Sequence, residues 1–236
     1  MPQRLYTYPP LLRGRLLQRY KRFFADIELD SGETITAHCP NTGPMTGVCQ
    51  MGNLVYVSKS DNPKRKLAYT WELIEVTDNE PTWVGVNTGL PNRVVQALLE
   101  QRCLPVLGDY GEVQREVPYG ENSRIDFRLT GDRPIYVEVK NTTWTAGRLA
   151  LFPDTVTTRG QKHLRELTAI LLEARAVMLY FINRGDCTAF APGDSADPTY
   201  GQLLRTGIAA GLEVYPCQFQ ISPEGIDFLG VAPLQL

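Results

Sequence analysis

Long apolar runs are missing from this 236-residue chain. No segment approaches the roughly 20 residues that a membrane-spanning helix needs. The opening stretch MPQRLYTYPPLLRGRLLQRYKRF is basic but has neither an apolar run nor a small-residue cleavage site. The expectation is an unsecreted, cytoplasmic protein with no membrane partner. Regular cysteine spacing is missing too. Cys39, Cys49, Cys103, Cys187 and Cys217 form no CxxC pair, and their odd number argues against a disulfide framework. His38 beside Cys39, with Cys49 further on, lacks the second ligand pair of a closed zinc site. The chain has no Gly-rich phosphate loop and no nucleophile elbow, which speaks against a sugar-modifying enzyme.

What is present is enough apolar material for one large core or two small ones: 43% of residues are hydrophobic and 21% charged. Net charge is only −2, but it is unevenly spread. Residues 1–66 hold ten Lys or Arg against five Asp or Glu, and residues 67–236 hold 14 against 21. Arg19, Lys21 and Arg22 form one basic group and Lys64, Arg65 and Lys66 a second. Both suit contact with a phosphate backbone. A solvated surface is the other reading, because Glu72, Glu75, Asp78 and Glu80 follow closely.

Between residues 11 and 86 short apolar runs alternate with turn residues. Strands are expected at 23–29, 34–37, 54–58, 70–76 and 83–86, separated by turns such as Asp30-Ser31-Gly32 and Ser60-Asp61-Asn62-Pro63. A small five-stranded barrel of the OB type fits this spacing, with Tyr20, Phe23, Phe24 and Tyr56 as candidate stacking surfaces or core residues. After residue 84 the pattern changes. Pro91 can start a helix carrying Val94, Val95, Leu98 and Leu99, ended by Pro105. Strands are expected at 113–117, 124–129 and 135–140, a helix over 158–175, a buried strand at 177–182, a helix near 200–210 and strands near 212–221. The division is therefore a barrel at 1–84 and an α/β domain at 85–236.

The segments 124–129 and 135–140 both alternate with period two. Asp126, Glu138 and Lys140 fall on one face, with Ile125, Phe127, Val137 and Val139 on the other. In the simplest hairpin register the two carboxylates oppose each other. Two like charges so placed call for a cation between them, and a hard divalent ion with oxygen ligands fits. A slip of two residues would pair Asp126 with Lys140 as an ordinary salt bridge, and periodicity leaves both open.

The pattern Asp126…Glu138-Val139-Lys140 resembles the PD-(D/E)xK nuclease signature, with Ile125 where a proline normally precedes the first acid. The wider context is more specific. QRYKRFFADI (18–27), HCPNTGPMTG (38–47), KRK and TWEL (64–73), YGENSRIDF (119–127), YVEVKN (136–141) and FPDTVTTRGQKHLREL (152–167) together resemble the sugar fermentation stimulation protein A family over nearly the whole chain. The resemblance implies an OB-fold domain joined to a PD-(D/E)xK restriction-endonuclease-like domain, and DNA as partner. Strand type and a homodimer are left open.

On that reading Asp126, Glu138 and the main-chain carbonyl of Val139 hold Mg²⁺ or Mn²⁺, and Lys140 positions or helps deprotonate water. Arg159, His163 and Glu166 share one face of the helix from Thr158, opposite Gly160, Leu164, Leu167 and Leu171. Arg159 and Lys162 oppose the helix dipole in its first turn, a conflict that points to a phosphate-facing terminus, so Arg159, Lys162 and His163 are expected on the substrate side. Folds of this type often carry an acid on the first helix. Here Asn87 and Asn92 stand near its start and Glu100 near its end, and Glu121 is the alternative acid. Two functions remain: a metal-dependent endonuclease, or a non-catalytic DNA-binding regulator of sugar (maltose-type) metabolism genes.

Overall fold

The computed structural model describes residues 2–120 and 123–236. After β1 (Gln3–Thr7), the strands β2 (Leu11–Tyr20), β3 (Phe24–Leu29), β4 (Thr34–His38), β5 (Leu54–Lys59) and β6 (Tyr69–Val76) form a barrel, and β7 (Thr82–Gly85) lies outside on β6. β2 is the hub, pairing antiparallel with both β3 and β5. A short parallel contact, Ala37↔Tyr69 and His38↔Thr70, joins β4 to β6 and closes the cylinder. Five staves were expected, but their membership differs. β7 is not a stave, and β2 was missed because Arg13, Arg15 and Arg19 punctuate it. In the barrel Arg13 and Arg15 face out while Gly14 and Leu16 are buried. Gly14 is required there, since a Cβ would lie 2.4 Å from the Glu28 carbonyl oxygen.

The α/β part comprises α1 (Leu90–Glu100), β8 (Val113–Tyr119), β9 (Ser123–Leu129), β10 (Ile135–Thr142), β11 (Trp144–Ala146), β12 (Leu149–Phe152), α2 (Thr158–Ala169), β13 (Arg175–Ile182), β14 (Ala189–Pro192), α3 (Pro198–Ala209), β15 (Glu213–Ser222) and β16 (Gly225–Val231). Its main sheet runs β1-β16-β15-β13-β10-β9-β8, with β10, β13 and β15 parallel. α1 packs Val94, Leu98 and Leu99 into a core with Phe127, Val137 and Leu179; α2 and α3 pack Leu164, Leu167 and Leu204 with Met178 and Tyr180 in a second core.

Three expectations need correction. β1, grouped with the barrel by the division at residue 84, pairs with β16 because Leu5 and Tyr6 pack on the α/β core, and Arg4 pairs with Asp227 at 2.5 Å. The helix expected to reach residue 175 stops at Ala169, and residue 175 already lies in β13 opposite Ile135. Ile125 and Phe127, expected on one face, enter opposite cores. The cause is a divergence: β9 pairs with β10 only as far as Val137↔Phe127, then follows β8 alone.

The two parts are pinned by a buried cation. Arg184, 1% exposed, donates to both oxygens of Asp186 at 2.7 Å, to Asp78 of the β6–β7 turn at 3.0 Å and to the Thr143 carbonyl at 3.1 Å. Asn79 adds a hydrogen bond to Asp186 at 3.0 Å. Burial alone would raise the Asp186 pKa, but Arg184 outweighs it and holds the carboxyl below its ordinary value.

Candidate functional site

The hairpin register is the simplest one, since Tyr136↔Arg128 and Val137↔Phe127 put Asp126 level with Glu138. At that level the strands part. The amide of Val139, which finds no backbone partner on β9, donates to Asp126 Oδ2 at 2.8 Å. Asn92 of the first turn of α1 donates to Asp126 Oδ1 at 2.8 Å. The carboxyl thus sits in the split between two strands, held at both oxygens. Burial, followed by the charge of Glu138, pushes its pKa up to about 6.

Glu138 is 3% exposed. Its Oε1 receives Lys140 Nζ at 2.6 Å and also contacts His163 Nδ1. Lys140 and His163 approach each other at 3.2 Å. Burial acts to raise the Glu138 pKa, but the His163 hydrogen bond and the Lys140 charge together leave it below its ordinary value. Oε2 is buried and has no hydrogen-bond partner among the described residues. One oxygen of Glu138 is therefore fixed and the other is left with its lone pairs unused.

These acids line a cleft of about 600 Å³, together with Arg124, Arg159 and Lys162. An adjoining cavity of about 230 Å³ takes in Lys140, Asn141 and Thr88. Between Arg115 and Val117 the β8–β9 register is unbroken, but Glu116, at φ 50°, drops out of the ladder beside the cleft. The Glu116 carbonyl in turn accepts from Arg124 at 2.9 Å. Arg124 was missed in the sequence, although it stands in the Tyr119–Phe127 segment that carries the resemblance. The arrangement places two acids at the floor and guanidinium and ammonium groups on the walls. That suits an anionic substrate approached through a cation.

The other expected residues divide. Arg159 and Lys162 are exposed at the cleft, with Arg159 Nε 3.4 Å from His163 Nε2 and Lys162 paired to Glu166 at 3.5 Å. His163 is buried against Glu138 rather than presented to solvent, because it falls on the inner edge of α2 beside Leu164. Of the two asparagines, Asn92 enters the site, while Asn87 turns to Glu72 of the barrel at 2.8 Å. Glu100 bonds Gln96 at 2.7 Å, away from Asp126. Glu121 lies outside the described residues.

On the barrel, Lys21 and Arg22 stand exposed in the β2–β3 turn, and Lys64, Arg65 and Lys66 are exposed between β5 and β6. Arg19 differs. It is half-buried and donates to the carbonyls of Asn41 at 2.9 Å and Gly43 at 3.0 Å, so its first duty is to hold the 39–44 loop. Tyr20 and Phe24 stack on each other at 5.4 Å, and Tyr56 is taken up by Trp83 at 5.0 Å. Phe23 is 49% exposed.

Among the described residues, no three Asp, Glu, His or Cys side chains converge as an ion cage. A site here has two carboxylates and main-chain or water oxygens as its donors. That set suits a hard divalent cation.

Comparison with known proteins agrees with this architecture. Residues 17–86 match the model of the SfsA N-terminal OB domain, and residues 89–225 match the sugar fermentation stimulation protein RE domain. A sugar fermentation stimulation protein homolog of Cyanothece sp. is 70% identical, covering 100% of both chains, and one of Nostoc sp. is 68% identical, covering 98% of each. The structure of Pyrococcus furiosus SfsA in complex with Ca²⁺ superposes with a TM-score of 0.89 over 99% of this chain and 100% of that one, at 23% identity. No helix among the described residues is long and apolar enough to cross a membrane.

Proposed function

Because the chain belongs to the sugar fermentation stimulation protein family, with the OB and RE domains both in place, we propose that it binds DNA and hydrolyses phosphodiester bonds with a divalent metal ion. The observation that carries this reading is the split carboxylate pair. Among the described residues Glu138 keeps a buried oxygen without a partner, and Asp126, in the same cleft, has its pKa pushed up to about 6 by burial and by the charge of Glu138. Simple binding of an anion gains nothing from two acids at the cleft floor. A cation satisfies both at once.

Asp126, Glu138 and the Val139 carbonyl would hold the ion; Mg²⁺ or Mn²⁺ bound there polarises the scissile phosphate and lowers the pKa of an attacking water. The relative from Pyrococcus furiosus, solved in complex with Ca²⁺, is consistent with an oxygen-lined divalent site. Lys140, 2.6 Å from Glu138 Oε1, orients the water and offsets charge gathering on phosphorus. Asn92 and the Val139 amide fix the Asp126 carboxyl in one rotamer. Arg124, Arg159 and Lys162 draw the phosphates flanking the cut into the cleft, and Lys21, Arg22 and Lys64–Lys66 extend the track across the barrel.

The test is incubation of the purified protein with plasmid, single-stranded and branched DNA plus Mg²⁺ or Mn²⁺, beside Asp126→Ala. Cutting by the wild type that the variant loses, with binding kept, supports the hydrolase. Binding without cutting on every substrate refutes it in favour of a non-catalytic regulator of sugar genes.

A further inference from the structure

A second cavity, of about 230 Å³, lies where the barrel meets the α/β part. Its walls come from the 39–44 loop on one side and from the end of β10 with β11 and β12 on the other: Asn41, Thr88, Asn141, Thr142, Trp144 and Phe152. It adjoins the cleft, since Thr88 and Asn141 also line the cavity that takes in Lys140 and Asp126. From Lys140 to Thr142 is one pleat of β10, about 6.6 Å along the strand. The loop is held rigid by Arg19 on the carbonyls of Asn41 and Gly43 and by Thr88 Oγ1 on the Pro40 carbonyl at 3.0 Å. The cavity is therefore preformed, and the Cys39–Gly43 segment, part of a sequence feature with no role in the hydrolysis, builds its barrel wall.

Two features of its lining call for a ligand. Thr142 is 1% exposed and its hydroxyl has no hydrogen-bond partner among the described residues. A buried orphan of this kind costs stability unless something in the cavity completes it. Trp144 is only half-buried and stands between this cavity and another beside Asp78 and Arg184. The ring edge rests on Gly193, where a Cβ would lie 2.9 Å from Trp144 Cζ3. An indole so placed offers a flat apolar surface. A flat aromatic wall, an unsatisfied hydroxyl and the Asn141 amide make a site for a planar heterocycle with polar edges.

We propose that this cavity takes the unpaired base of the nucleotide next to the cut, stacked on Trp144 and read at its edge by Thr142 and Asn141. The inference rests on the nucleic-acid reading of the cleft above and narrows it. Stacking on Trp144 with contact to the base edge at Thr142 and Asn141 needs a base whose edge is not already paired, so the preferred substrate is single-stranded, or a duplex with an unpaired nucleotide at the site. A mismatched or unpaired base enters at lower unstacking cost than a paired one, which makes the cavity a selector.

Fluorescence anisotropy with three labelled probes tests this: single-stranded oligothymidylate, a fully paired duplex, and the same duplex with one unpaired thymine. Wild-type protein prefers the two unpaired probes. Trp144→Leu lowers their affinity about tenfold, the scale of one lost base–aromatic stack, and shifts paired-duplex affinity by no more than about twofold, within the noise expected of a contact that duplex does not make. Trp144→Phe restores most of the loss, and Thr142→Val changes the preference for oligothymidylate over single-stranded oligoadenylate and oligocytidylate measured beside it. In wild-type protein the unpaired probe also quenches tryptophan emission, and Trp144→Phe abolishes that quench. Equal losses on all three probes, or a quench that survives Trp144→Phe, overturn the base site while leaving the hydrolase reading intact. Absence of binding to any probe by wild-type protein overturns both.

Discussion

Asn92 Nδ2 lies 2.8 Å from Asp126 Oδ1 and ties the first turn of α1 to the point where β9 leaves β10. An amide here donates a proton where a carboxylate would offer a further pair of metal-ligating oxygens. Asn92→Asp should therefore tighten divalent binding and lower the stability of the metal-free protein, through repulsion against Asp126. Calorimetric titration with Mn²⁺ and melting in chelator measure the two effects. Weaker Mn²⁺ binding by the variant would argue against an ion beside Asp126.

Metal-free stability should also report the Asp126 proton. Burial and the Glu138 charge raise its folded pKa to about 6 from the ordinary 3.8. The charged carboxylate thus penalises the folded state above the folded value, and the penalty fades as pH falls from about 6 toward the unfolded value. Between about pH 7.5 and pH 5, wild type should gain about 1 kcal/mol relative to Asp126→Asn in chelator. A stability gap that is flat across this range contradicts the raised pKa.

His163→Leu removes the leading group that holds the Glu138 pKa down. Only Lys140 is then left to oppose burial, and the acid limb of any cleavage profile should move upward. The pH dependence of kcat/KM checks this; a limb that stays in place assigns it to another group.

Arg184→Met strands Asp186, whose side chain is 0% exposed, without its cation. Breaking a buried pair in this way costs about 3–5 kcal/mol, and the melting temperature should fall accordingly. A loss under about 1 kcal/mol, the range of surface pairs, would mean that the two domains are held together by other contacts.

Charge reversal on the barrel should separate two kinds of arginine. Lys21→Glu and Arg22→Glu should weaken DNA binding and flatten its salt dependence by about one unit of slope per lost contact. Arg19→Glu should lower thermal stability as well, because it releases the loop at Asn41 and Gly43. If Lys21→Glu and Arg22→Glu leave affinity and salt slope unchanged, the barrel turn is not a docking face.

Much of the framework could be read from side-chain rhythm. The alternation of both hairpin strands was legible, with the facing of Asp126 and Glu138 as one of two registers left open, and the α2 stripe of Gly160, Leu164 and Leu167 followed from helical spacing. What rhythm could not show was contact at a distance. β2 was hidden because its outward arginines broke the apolar pattern, and β1 because its partner lies more than 200 residues away at β16. The burial of His163 and the turning of Asn87 toward Glu72 depend on how the two domains and α2 pack, which residue identity alone does not encode. Trp144 carried no local signal, since its cavity exists only once the 39–44 loop meets β10.

The pairing of β1 with β16 makes the barrel an insertion, bracketed by two pieces of one sheet. During synthesis the barrel can close early, but the residues preceding it must wait for the last strand to emerge. Until then β1 has no partner strand, and in a chain lacking β1 the edge of β16 is an open template for other chains. Deleting residues 2–8 should thus leave the barrel intact and the protein prone to self-association, a defect in assembly order rather than in chemistry.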